Sequence, residues 1–154
     1  MRAEFLQRKE VRKINEMLKE NYDAEFNIDD YYFFKNTKDD IFLISRSIEN
    51  INIDKIKEIS AGLYVGQLTG GSIRLSIEGS QIIGRNAKKG IIELNGEEWL
   101  LWLKKNDMES SRFNDLKQGY YIVSHNNDFF GSGHLKNGIL SSYVPKSRAV
   151  GEPH

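Results

Sequence analysis

No cysteine occurs among the 154 residues. That removes disulfides, thiolate zinc sites such as knuckles and ribbons, and a cysteine nucleophile. Histidine is scarce as well: His125, His134 and the terminal His154 are the only three, with no His-x-x-x-His spacing. No metal and no cofactor are expected. Proline is nearly absent, with 2 residues, while 39 % of the chain is hydrophobic and 29 % charged; such a composition folds rather than staying disordered. No apolar run approaches the roughly 18 residues that span a bilayer. The first nine residues lack the apolar stretch of a secretory signal. A soluble, cytoplasmic protein with no membrane partner is expected. Charge of one sign is lacking too, since 22 Lys and Arg balance 22 Asp and Glu.

What is present divides the chain in two. Residues 4–20 predict a helix, because Leu6, Val11, Ile14, Met17 and Leu18 recur at spacings of three and four between charged residues. Its basic residues Arg8, Lys9, Arg12 and Lys13 alternate with Glu10, Glu16 and Glu20, the pattern of a solvated face. Tyr31–Phe34 and Ile41–Ser45 read as paired strands around the turn residues 36–39. Strand alternation sends two of the four aromatics 31–34 into the core, against the alternative of a base-stacking platform. A short helix over 54–60 and a strand over 61–68 complete this half. Thr69-Gly70-Gly71 is then a boundary by composition. Residues 1–70 carry 11 basic and 13 acidic residues, net −2, and residues 71–154 carry 11 and 9, net +2.

In the second half, residues 73–76 alternate as a strand and 76–84 suggest a helix closed by a C-cap glycine at Gly84. Arg85, Lys88 and Lys89 form a basic loop into the strand 91–94. Asn95 and Glu98 make a capping box for a helix whose Trp99, Leu100, Trp102 and Leu103 are expected in the core. Residues 106–118 read as a loop, and 119–125 as a strand. The last pattern is a hairpin about Asn137-Gly138, the strongest short turn signal, preceded by Gly131-Ser132-Gly133. From 129 to 150 there are three basic residues, Lys136, Lys146 and Arg148, and no acidic one. Glycines inside a strand permit close backbone approach, and lysines beside them suit phosphate; lysine on an edge strand also guards against aggregation. The expected class is α+β: an N-terminal α+β domain over 1–70 and a small β-barrel with short helices over 71–154.

The order Gly62-Leu63-Tyr64-Val65-Gly66, Arg74-Leu75-Ser76-Ile77-Glu78-Gly79, the capped helix, Gly119–Val123, Phe130–Gly133 and Pro145–Arg148 resembles a PUA domain. That domain is the RNA-binding pseudobarrel of pseudouridine synthases and archaeosine transglycosylases. The Gly62–Gly66 entry and the exit from Lys136-Asn137-Gly138 to Pro145–Arg148 look especially like the PUA module attached to RNA 5-methylcytosine methyltransferases. The N-terminal half resembles, in architecture, the pre-PUA domain of stand-alone ribosome-biogenesis proteins. The resemblance implies RNA contacts at Gly131, Ser132, Gly133 and His134, at Arg74, Lys88 and Lys89, and at Lys136, Lys146 and Arg148. It implies rRNA or tRNA as partner, with an RNA methyltransferase or ribosome assembly factor as a possible protein partner.

Catalysis is not expected. The methyltransferases need a cysteine nucleophile and a Rossmann-like domain, and the chain has neither the residue nor a strand–Gly-x-Gly-x-x-Gly–helix unit. The acidic pairs 29–30, 39–40 and 97–98 lie at turns or at a helix start, where acids are structurally favoured. The expected function is non-catalytic binding of structured RNA as an accessory to ribosome assembly or RNA modification. The alternative is a protein-interaction adaptor with little RNA contact, which the neutral net charge favours.

Overall fold

Val11, Ile14 and Leu18 share one buried face of helix α1 (Arg8–Tyr22). The helix begins at Arg8 rather than Glu4, because the Glu10 carboxylate accepts the backbone N–H of Gln7 and closes the first turn there. Glu4–Phe5 instead form a short strand, β1, against Phe34 and Lys35. Asp23 ends the helix in the left-handed region, its N–H returning to the Lys19 carbonyl. This computed structural model describes residues 3–46, 62–104 and 106–142; the helix expected over 54–60 lies outside them.

The first sheet is antiparallel in the order β1, β2 (Tyr31–Lys35), β3 (Asp40–Ser45), β4 (Leu63–Thr69), β5 (Ser72–Leu75). Alternation along β2 divides the aromatics between two faces. Phe33, with Tyr31 against it, joins Leu18, Tyr22, Phe26, Ile73 and Ile122 in the main core, while Phe34 packs with Phe42 and Ile44 on the opposite face. They are packing residues on both sides. Thr69-Gly70-Gly71 is the turn of the β4–β5 hairpin, with Thr69 paired to Ser72 and both glycines at positive φ.

Helix α2 (Ile77–Gly84) is capped by Ser76, whose hydroxyl accepts the Gly79 N–H. Gly84 is not a left-handed C-cap; it is the last helical residue, and a Cβ there would lie 2.6 Å from the Phe129 ring. The glycine signal was one of close packing.

The second sheet has the order β6 (Ile91–Glu93), β8 (Gly119–His125), β9 (Asp128–Lys136), β10 (Ile139–Ser142), β7 (Met108–Glu109), with β6 and β8 parallel. Residues 106–118, expected as loop, contain the edge strand β7 and a 3-10 turn, Ser111–Phe113, that buries Phe113. Helix α3 (Gly96–Leu103) has the expected Asn95/Glu98 capping box. Of its four expected core residues only Trp102 is buried; Trp99 and Leu103 are half-buried and Leu100 is 59 % exposed. Trp102 closes a second core with Leu94, Met108, Phe113, Leu135 and Leu140. The architecture is α+β, with the second half curled as a PUA-like pseudobarrel.

Candidate nucleic-acid interface

Residues directly opposite one another in a sheet share a face. Tyr120 on β8 stands opposite His134 on β9, which stands opposite Ser141 on β10. The Tyr120 and His134 rings lie 4.9 Å apart at 57°. Lys136, two residues beyond His134, continues this face into solvent. Two residues inward from the row the same face is sealed: Ile122 enters the main core, and the Ser132 hydroxyl donates to the Leu75 carbonyl at 2.8 Å. So one end of the sheet face is anchored while the other presents Tyr120, His134 and Lys136.

Beside this row a cleft of about 310 Å³ separates the end of α1 from the start of β8. Lys89, Lys117, Tyr120 and Tyr121 line it, with the amides of Asn21 and Gln118 and one carboxylate, Glu20. Its walls are set by backbone bonds. The Lys88 N–H donates to the Tyr22 carbonyl and the Ile122 N–H to the Gly90 carbonyl, both at 2.9 Å. Gly90 sits at φ 77°, where a Cβ would meet the Asn21 carbonyl at 2.4 Å, so only glycine lets Lys89 lie this close to α1. The Tyr121 hydroxyl donates to the Lys117 carbonyl, which ties the second lysine to the strand. Burial raises the Tyr121 phenol above the ordinary tyrosine value. Behind the cleft, Tyr22 is fully buried with its hydroxyl unpartnered; burial, then the proximity of Tyr121, push its phenol up as well.

The residues expected to meet RNA separate into groups. Lys88, Lys89, His134 and Lys136 reach the surface, and Lys89 and His134 meet through Tyr120. Gly131, Ser132 and Gly133 are buried. The Gly131 N–H donates to the Ser80 hydroxyl at 2.8 Å, and a Cβ on Gly133 would lie 2.7 Å from Leu140 and 3.2 Å from Trp102. Packing therefore accounts for these glycines. Arg74 lies on β5, where it donates to the Gln67 side chain and shares the surroundings of the Tyr64 hydroxyl with Asp40 and Glu78. Lys146 and Arg148 lie outside the described residues. Lys117, Tyr120 and Tyr121 were not singled out in the sequence. Their signal is cross-strand register, which places Tyr120 on His134 and is not readable from a single strand.

One end of the second sheet thus presents Tyr120, His134 and Lys136 together, and among the described residues no three His, Asp or Glu side chains converge as metal ligands. Residues 89–149, less than half of the chain, match the family described as the methyltransferase RsmF PUA domain. Over those residues the chain is similar to the PUA domain of RNA methyltransferases, a type of module that implies RNA binding in general. No curated protein matches the chain. Among the described residues no helix is long and apolar enough to cross a membrane.

Proposed function

We propose that this protein binds structured RNA, rRNA or tRNA, without catalysing a reaction on it, as an accessory to ribosome assembly or RNA modification in the cytoplasm. The observation that carries the reading is the convergence of Lys89 and Lys117 with Tyr120, His134 and Lys136 at one end of the second sheet. Lysines neutralise phosphates, and an aromatic beside them stacks an unpaired base. RNA contact is assigned to these five side chains and Lys88. Gly131, Ser132 and Gly133 act from behind, by holding β9 against α2, β5 and the second core, and Lys146 and Arg148, outside the described residues, are further candidates for phosphate contact.

Titration of the purified protein with total tRNA and with rRNA fragments tests the reading. Tyr120→Ala should weaken binding about tenfold, within the range for loss of one base–aromatic stack. Wild-type affinity in that variant would remove the site, and absence of binding at low salt would remove the function. The adaptor reading draws on a different observation, an uncovered apolar helix face on α3.

A further inference from the structure

Helix α3 reads Gly-Glu-Glu-Trp-Leu-Leu-Trp-Leu, five apolar residues in eight. Its inward face uses Trp99, Trp102 and Leu103: Trp102 fills the second core, and Trp99 packs on His125 and Phe130 at 4.9 and 4.3 Å. Leu100 and Leu101 are in excess of that need and face outward, 59 % and 40 % exposed. They are not the product of a fraying end, because the Asn95/Glu98 capping box holds the first turn and the Lys104 N–H closes the last. Helical spacing places Glu97 on the same face, three and four residues before the leucines, and exposed Lys104 four and three residues after them. The Asn106 N–H donates to the Leu101 carbonyl at 3.0 Å, which brings exposed Asp107 alongside. From 93 to 109 the sequence has five acidic and two basic residues. The cation Arg112 is engaged by Glu98 and the Glu93 carbonyl.

We infer that this face of α3 docks a protein segment that is both apolar and basic. Two adjacent leucines on a fixed helix call for an apolar anchor, and the acidic rim selects a partner of opposite sign. With Lys104 set against Glu97, Asp107 and Glu109, the rim keeps a net acidic excess that disfavours phosphate, whereas lysines gather near Tyr120. A basic amphipathic helix laid across Leu100 and Leu101 satisfies both requirements. The surface does not depend on the RNA site, and the two can be lost separately.

The test uses the full chain, labelled with 15N, and three synthetic 15-residue peptides: one of leucine and lysine, one of leucine and glutamate, one of serine and lysine. The leucine–lysine peptide should shift resonances of α3 and residues 106–107, and bind at least tenfold more tightly than either of the others. The double variant Leu100→Asp/Leu101→Asp should lose that binding by tenfold or more while keeping wild-type affinity for tRNA. Equal affinity for the three peptides, shifts that avoid α3, or binding untouched by the double variant would each overturn the inference. Concentration-dependent dimerisation abolished by the same variant would assign the face to a second copy instead. Shifts of α3 on adding tRNA would assign it to nucleic acid.

Discussion

Gly79 lies where α2 crosses β4 and has no room for a side chain. A Cβ there would stand 2.0 Å from the Val65 carbonyl oxygen and 2.8 Å from its carbon. The obstacle is backbone, and the same carbonyl accepts the Ser76 N–H at 3.0 Å. In Gly79→Ala the helix must move off the strand by an ångström or so. Overpacking costs about 1–3 kcal/mol, and weakening the Ser76 bond adds about 1 kcal/mol. Better helix propensity returns about 1 kcal/mol. The net loss is roughly 1–3 kcal/mol, which lowers Tm by about 3–10 °C in a domain of this size. Gly96→Ala is the internal control: no atom lies within 4 Å of its Cβ, and its φ is not in the left-handed region. That change should be neutral or stabilise by a few tenths of a kcal/mol. Urea unfolding followed by circular dichroism measures both. Gly79→Ala as stable as wild type would refute the close crossing of α2 over β4, and with it the placement of Ser80 beneath Gly131.

Ser132→Ala should destabilise by about 1–2 kcal/mol, since the buried Leu75 carbonyl loses its side-chain donor; chemical denaturation checks it. Tyr22→Phe should be neutral or stabilise by up to about 1 kcal/mol, because it deletes a buried hydroxyl that has no partner. The same residue sets a pH dependence. The folded state holds the Tyr22 phenol above its ordinary 10.0, chiefly by burial. The unfolded chain therefore releases that proton first, and stability falls as pH rises above about 10, with a slope of up to about 1.4 kcal/mol per pH unit from this group. Tyr64 and Tyr121 shift in the same direction, so denaturation at pH 10–11 should be shallower in pH for Tyr22→Phe but not flat. Asn95→Ala should cost about 1 kcal/mol by removing the α3 cap.

The elements were legible wherever periodicity or local hydrogen bonding decided them. The α1 stripe, the β2–β3 hairpin, the Asn95/Glu98 box and the Asn137-Gly138 turn all depend on neighbours a few residues apart. Features that depend on distant partners were not. Gly84 signals a C-cap until Phe129 is seen packed on it, and β7 is two residues paired at the sheet edge with β10. Leu100 matches a core pattern, yet it is exposed because the helix is already anchored by Trp99 and Trp102. The candidate site divides the same way. Lys89, His134 and Lys136 stand out by composition, whereas Tyr120 and Lys117 join them only through register and the fold of residues 113–121. Gly131 to Gly133 read as an open backbone because sequence cannot say that Ser80, Leu75, Trp102 and Leu140 fill the space around them.

RNA binding is assigned to one charged surface, so the decisive measurement is the salt dependence of RNA affinity in two charge-matched variants. One is Lys89→Ala/Lys117→Ala/Lys136→Ala. The other is Lys9→Ala/Arg12→Ala/Lys13→Ala, which removes three exposed charges from α1. Each phosphate contact contributes about 0.7–0.9 to the slope of log affinity against log salt. The first variant should lose about 2 units of slope and bind tRNA or rRNA fragments far more weakly, while the second keeps the wild-type line. Equal losses in both variants, or none in the first, would contradict the assignment of RNA to the Tyr120–His134 end of the second sheet.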